Sequence, residues 1–262
     1  MKKIALILAL VMVFALTAGN ASAFAADKLV LGTSADYPPF EFLYPNEKGE
    51  LVYAGVDISV AQYIAEKTGK ELQIENMGFD YLLASLQKGD FDMVIAAMEI
   101  SEERLNAADF SDPYYSDIPA KVLVRAADLD KYSSYESFNK KSVGAQTATT
   151  KETLVQENFT GADLVSIQTV PDLVNQLVNS KLDAVVLDGA VAMEYAEKNK
   201  DLAVANIEFE VAEPYRVAVA KGDPKGLLPG INAAIADMLK EDKIPEFYAS
   251  AKSLESSAVL PE

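Results

Sequence analysis

The 262-residue chain contains no cysteine and no histidine. Without cysteine there is no thiol nucleophile and no disulfide framework; without histidine there is no imidazole base and no zinc site of the usual kinds. Basic residues are scarce, with 23 Lys and Arg against 40 Asp and Glu, a formal charge of -17. Such a chain repels phosphate backbones and anionic lipid, so nucleic acid and the membrane surface are excluded as partners. The Gly-x-x-x-x-Gly-Lys phosphate loop, the Gly-x-Gly-x-x-Gly fingerprint and the Gly-x-Ser-x-Gly elbow are also absent. Most enzyme classes lose their main support, and no cofactor or metal is expected.

Long apolar runs are equally rare, and the one present sits at the N-terminus. Lys2 and Lys3 precede the apolar run Ile4 to Leu16, and Ala21-Ser22-Ala23 offers a small-residue cleavage site. This predicts a signal peptide over residues 1–23, with cleavage after Ala25 as the alternative. Leu16-Thr17-Ala18-Gly19 is the kind of stretch that precedes a lipid-bearing Cys, but Asn20 follows, so no lipid anchor is expected. Removal of residues 1–23 takes away two Lys and no acid, leaving 40 acidic and 21 basic side chains, or -19. The mature protein is expected to be exported and not inserted in a membrane.

What the chain does have is alternating strand and helix patterns. Strands are predicted at Lys28 to Thr33, Glu71 to Glu75, Phe91 to Ala96, Ala120 to Arg125, Ser142 to Ala145, Leu164 to Gln168, Ala184 to Leu187, Glu208 to Val211 and Arg216 to Ala220. Helices are predicted at Asp57 to Lys67, Phe79 to Lys88, Thr149 to Glu157, Asp172 to Asn179, Ala190 to Lys198, Leu227 to Lys240 and Ile244 to Ser253. This order argues for an α/β fold with mostly parallel sheets. An internal echo argues for two of them, since Leu86 to Ile95 aligns without a gap on Leu177 to Val186. Any helix-turn-strand unit gives a similar pattern, but the alignment continues to set Ala97 on Asp188. Ligands bind beyond the carboxyl ends of strands in open α/β sheets.

The segment Ala96 to Arg104 then becomes the centre of interest. Arg104 lies three residues after Ser101, an apparent helix N-cap, where its guanidinium meets a small carboxylate. A free amino acid carries a carboxylate and an ammonium on one carbon, and desolvating both requires an Arg fork for one and a carboxylate for the other. Arg104 and Asp188 supply that pair. In a purely structural alternative, Arg104 pairs with Glu102, Glu103 or Asp109 and Asp188 caps the next helix.

Five motifs in order now resemble a known family. Tyr37-Pro38-Pro39-Phe40-Glu41-Phe42, Gly55-Val56-Asp57, Ser101-Glu102-Glu103-Arg104, Phe110-Ser111-Asp112-Pro113-Tyr114-Tyr115 and the pair Gln146 to Thr150 with Asp183 to Asp188 are similar to the polar amino-acid class of bacterial extracellular solute-binding proteins. The resemblance runs from about Lys28 to about Ala251. It implies a two-lobed periplasmic-binding-protein fold: two α/β sheets joined by a two-strand hinge, with the ligand cleft between the lobes. Lobe one would be discontinuous, 27–113 and 216–262, lobe two 119–211, and the hinges 114–118 and 212–215. It also implies a monomer that closes around one amino acid and docks on an inner-membrane ABC permease.

Carried over by position, Arg104 would hold the α-carboxylate and Asp188 the α-ammonium. Thr149 and Thr150 begin the second-lobe binding helix, where Thr149 would add a hydroxyl and a helix N-terminus. Ala97 would present backbone, Met98 would count among the ligand-binding residues, Gln146 would lie near the side chain, and Tyr37 and Phe79 would sandwich it. Three departures stand out. Ala148 replaces a usual Gly, Ser34 stands where some binders of basic amino acids carry an acid, and Glu99 replaces a small hydroxyl residue. A carboxylate at Glu99 invites a cation between Tyr37 and Phe79. The favoured ligand is therefore arginine, lysine or ornithine, with a polar neutral amino acid such as glutamine as the alternative. In the other reading of Glu99, it faces solvent or neutralises Arg104. Cyclohexadienyl dehydratases resemble the same family, which makes Glu99 a conceivable general acid in an enzyme reading. A receptor's sensing domain is a third reading, and it requires a membrane helix after the second lobe.

Overall fold

A computed structural model describes residues 27–210 and 212–259. The expected signal segment therefore lies outside the described residues. The chain opens with β1 (Lys28–Thr33), β2 (Asp36–Tyr37), β3 (Glu41–Pro45) and β4 (Leu51–Ala54). It continues through α1 (Val56–Thr68), β5 (Glu71–Asn76), α2 (Leu82–Lys88), β6 (Met93–Val94), α3 (Glu102–Ala107) and β7 (Ala108–Tyr115). The middle of the chain forms β8 (Lys121–Arg125), β9 (Ser142–Gln146), α4 (Thr150–Asn158), β10 (Asp163–Ile167), α5 (Val170–Val178), β11 (Ala184–Leu187), α6 (Gly189–Lys198) and β12 (Leu202–Ala205). The chain then returns through β13 (Tyr215–Ala220), α7 (Leu228–Lys240) and α8 (Lys243–Leu254).

Two five-stranded sheets result, ordered β5-β1-β6-β13-β7 and β10-β9-β11-β8-β12. The first draws strands from both ends of the chain, the second only from its middle. In each, the first three strands run parallel and the fourth is antiparallel to its neighbours. Helices cover the sheets by burying one stripe each. In α5, Thr169 caps the N-terminus by accepting from the Asp172 N–H at 3.2 Å, and Val170, Leu173, Val174 and Leu177 face the core. That spacing sets the four on one helical face, and full burial of each leucine contributes about 1.5–3 kcal/mol. Gly69 and Gly89 end α1 and α2 in the left-handed conformation, as the sequence predicts.

The internal echo proves to be physical. Asp92 precedes β6 and accepts from the Val30 N–H of adjacent β1 at 2.7 Å; Asp183 precedes β11 and accepts from the Ser142 N–H of adjacent β9 at 3.0 Å. Each aspartate satisfies an N–H of the neighbouring strand just before the ladder between the two strands begins.

Other details differ from expectation. The strand expected over Phe91 to Ala96 is only β6, because Asp57 Oδ2 takes the Ala97 N–H at 2.6 Å and the backbone turns out of the sheet at Ala97, φ 45°. The strand expected over Glu208 to Val211 is absent at 208–210, and Val211 is not described. There Ile207 and Phe209 pack on the second lobe's core, so the apolar alternation serves packing rather than a ladder, and the edge strand is β12 instead. The meander β2-β3-β4 and strand β7 were not predicted. Pro113 within β7 is tolerated because β7 is an edge strand.

The lobes lie closed on one another. Behind the crossover segments, Glu194 and Lys198 of α6 meet Lys252 of α8 and Glu255, with Lys198 to Glu255 at 3.0 Å and a Lys252–Glu194 ion pair. On the first-lobe side, Gly55 joins β4 to α1 at φ 124°, and a Cβ there would stand 2.0 Å from the Phe40 carbonyl oxygen. Gly55→Ala is therefore expected to destabilise the protein by at least about 2 kcal/mol, read as a lower urea midpoint. An unchanged midpoint would mean that this junction relaxes freely.

Candidate functional site

Beyond the carboxyl ends of β6 and β11 lies a small cavity between the lobes. Its lining comes from the β1–β2 turn, the Ala96 to Arg104 segment, the start of α4 and the Asp188 turn. Tyr37, Phe79, Ala97, Glu99, Arg104, Gln146, Thr149, Thr150 and Asp188 all border it. Met98 does not: its side chain packs in the first-lobe core with Leu82 and Phe91, and it borders only the adjoining outer groove.

Each position follows from local structure. Ser101 caps α3, accepting from the Arg104 N–H at 3.2 Å, which fixes the root of Arg104 one turn into the helix. The guanidinium is buried against the Phe79 ring, 5.1 Å from its centroid. It donates to the Glu99 carbonyl at 2.7 Å and, across the cleft, to the Ala148 carbonyl at 2.9 Å. Arg104 thus makes no surface pair with Glu102, Glu103 or Asp109. Ala148 reaches this contact in the left-handed conformation, φ 61°, so the close approach survives the replacement of glycine. Burial pulls the Arg104 pKa down, partly offset by Glu99 and Asp188.

Asp188 occupies the N-cap position of α6 but makes no side-chain cap bond. Its carboxylate turns to the cleft, where the Tyr37 hydroxyl of the other lobe donates to it at 2.5 Å. Thr149 caps α4 and donates to the Gln146 carbonyl at 2.6 Å, while the Gln146 side chain donates to the Gln168 carbonyl at 2.8 Å. Glu99 is only 4% exposed, so it does not face solvent. Its carboxylate accepts from Thr150 and from the ammonium of Lys151, the latter at 2.8 Å.

Lys151 is the residue that sequence reasoning missed. Its ammonium is buried between Glu99 of one lobe and Asp188 of the other. Burial pulls its pKa down, but Asp188 and Glu99 outweigh this and the net shift is upward, so it is a cation. The available signal was its position directly after Thr150, in the first turn of a helix aimed at the cleft.

Three further carboxylates were quoted in motifs or passed over. Asp57 accepts from Tyr114 at 2.8 Å and from the Ala97 N–H, and burial raises its pKa to about 6. Glu41, hydrogen-bonded to it, is 1% exposed, and burial followed by the charges of Asp57 and Asp36 pushes its pKa far up. Asp36 is raised to about 6, mainly by burial. Glu41 and Asp36 both line the cavity, so Ser34, at the expected acidic position, has an acid two residues further on.

Residues 29–251 match the bacterial extracellular solute-binding proteins, family 3. The chain belongs to that family. It is 31% identical over 217 residues to ABC transporter arginine-binding protein 1 of Escherichia coli, covering 81% of this chain and 85% of that protein. It is 30% identical over 245 residues to the arginine-binding extracellular protein ArtP of Bacillus subtilis, covering 91% and 93%. An arginine-bound amino acid ABC transporter substrate-binding protein from Streptococcus pneumoniae superposes with a TM-score of 0.82 at 36% identity, covering 88% and 95%. Relatives named for binding L-cystine, histidine and glutamine also occur. Members of family 3 are binding proteins of transporters, and among the described residues no helix of this one is long and apolar enough to cross a membrane.

The raised Asp36 pKa has a consequence for stability. Unfolded, the group titrates near 3.8, and folded near 6, so stability is fully present at pH values below 3.8 and is lost as pH rises through about 6. Asp36→Asn should leave unfolding unchanged at pH 3.5 and stabilise the ligand-free protein at pH 8 by up to about 3 kcal/mol. Urea unfolding at the two pH values tests this, and equal effects at both would contradict it.

Proposed function

We propose that this solute-binding protein takes up a basic L-α-amino acid, arginine, lysine or ornithine, between its lobes and delivers it to an ABC permease in the inner membrane. The observation that carries the reading is the pair of buried acids Asp36 and Glu41 in one cavity, neither of them in an ion pair among the described residues. Buried carboxylates without a partner are costly, and a guanidinium or ε-ammonium offsets that cost by pairing and hydrogen bonding. At the other side of the cavity Arg104 retains N–H groups beyond the two used on carbonyls, and these receive the α-carboxylate. Asp188 receives the α-ammonium, Tyr37 and Phe79 flank the side chain, and Thr149, Thr150, Ala97 and Gln146 complete the lining. The arginine-binding names of several relatives support the same ligand class.

In this proposal the lobes, 27–113 with 216–262 and 119–211, swing about 114–118 and 212–215. The protein works as a periplasmic monomer, exported by a signal peptide cleaved after Ala23, and performs no chemistry on its ligand. Consistent with that, incubation with prephenate or arogenate is expected to release no aromatic product.

Calorimetric titration with a panel of amino acids tests the ligand class. Arginine, lysine or ornithine is expected to bind most tightly, and Arg104→Ala to weaken every α-amino acid by about 2 to 5 kcal/mol. Asp36→Asn and Glu41→Gln should each weaken the basic ligands by at least about tenfold while sparing glutamine. Affinity for the basic ligands should fall as pH drops through about 6, because Asp36 then takes up a proton. Preference for glutamine, unaffected by Asp36→Asn or Glu41→Gln, would sink the cationic reading.

A further inference from the structure

We propose that Lys151 is a built-in competitor for the ligand's α-amino group, and that it weakens this site's selection for ligands that carry one. The inference rests on the amino-acid reading given above. The Lys151 ammonium has three oxygen neighbours: Glu99 Oε2 at 2.8 Å, Thr150 Oγ1 at 3.2 Å, and Asp188 Oδ1 in a close ion pair. An ammonium has three N–H donors, and this bay already holds one with two hydrogen bonds and an ion pair. An incoming α-ammonium needs the same carboxylate of Asp188, which also holds Tyr37 through its other oxygen.

Two arrangements are open to a bound amino acid. Either its ammonium displaces Lys151, which then has to be resolvated, or it shares Asp188 with Lys151 beside it and meets like-charge repulsion. Both reduce what the α-amino group contributes to affinity, as any occupied state reduces the competent fraction of a site. A ligand with the same carboxylate and side chain but no α-amino group suffers neither loss. It docks its carboxylate on Arg104 and its side chain by Asp36 and Glu41, while Lys151 stays in place. The site therefore accepts ω-cationic carboxylic acids lacking an α-amino group nearly as well as the amino acids themselves.

The lysine also acts on closure. It is rooted in the first turn of α4 in the second lobe and reaches Glu99 in the first, so it joins the lobes without ligand.

Calorimetry with matched pairs tests the proposal: L-arginine against 5-guanidinopentanoate, and L-glutamine against 4-carbamoylbutanoate. In the wild type, the tighter-bound amino acid of the two should exceed its des-amino analogue by less than about tenfold. In Lys151→Met the Asp188 and Glu99 carboxylates lose their cation, and the ratio should rise at least about tenfold, chiefly through tighter binding of the amino acid. Lys151→Gln, which keeps hydrogen-bond donors in the bay, gives the same reading with less disturbance of the fold. A wild-type preference for the amino acid of about a hundredfold or more, or a ratio unchanged in both variants, overturns the proposal. Failure of wild type and variants alike to bind any amino acid instead overturns the functional reading on which it rests.

Discussion

Asp36, Glu41, Glu99 and Asp188 present their carboxylates to one cavity, and their removal from water is the constraint around which the closed structure is arranged. Desolvating an ion costs several kcal/mol even after relaxation, so lobes lined in this way can close only over pairing partners. Lys151 pairs with Glu99 and Asp188 together, Thr150 and Tyr37 add hydroxyl donors, and burial with the neighbouring Asp57 and Asp36 disfavours charge on Glu41. Arg104 adds a second cation, yet it spends its recorded hydrogen bonds on carbonyls of both lobes rather than on a carboxylate. Charge is thus balanced unevenly, with the Lys151 side satisfied and the Asp36–Glu41 side still short of a cation.

The fold delivers these groups through a repeated device. In each lobe an aspartate before a short parallel strand ties that strand to its neighbour, and the chain leaves the sheet just beyond it toward the cleft. From β6 the exit leads by way of Ala97 to Glu99 and Arg104; from β11 it leads directly to Asp188. Because the two exits face each other, residues far apart in sequence meet without any long loop having to place them. Backbone geometry enforces this: Asp57 captures the Ala97 N–H, so the buried acid behind the cavity is also what turns the chain out of the sheet.

The sequence was legible where local signals and tertiary demands agreed. The helices closed by Gly69 and Gly89 and the cap at Ser101 have local causes that survive into the structure, while the Asp92 and Asp183 echo marks the same tie to a neighbouring strand in each lobe. Strand β7 was hidden because Pro113 and its polar neighbours are acceptable only at a sheet edge, and edge status is a tertiary property. Ile207 and Phe209 misled for the opposite reason, since their alternation is satisfied by packing on the second lobe without strand pairing. The most consequential omission, Lys151, is a charged residue in a helix's first turn, which by itself reads as a solvated position. Only the approach of the other lobe's Glu99 makes it buried.

That omission changes what Glu99 means. Read alone, a carboxylate facing a cleft asks for a cationic ligand, which makes Glu99 the residue that sets the ligand's charge. With Lys151 against it, Glu99 already has its cation, and its carboxylate no longer distinguishes a basic ligand from a neutral one. The demand for a cation rests instead with Asp36 and Glu41, which share the cavity without an ion-pair partner among the described residues. The proposed preference for a basic side chain and the proposed indifference to the α-amino group then have a common origin. Both follow from where the protein has placed its own ammonium, because a site that neutralises one pair of carboxylates internally leaves the other pair to select the ligand.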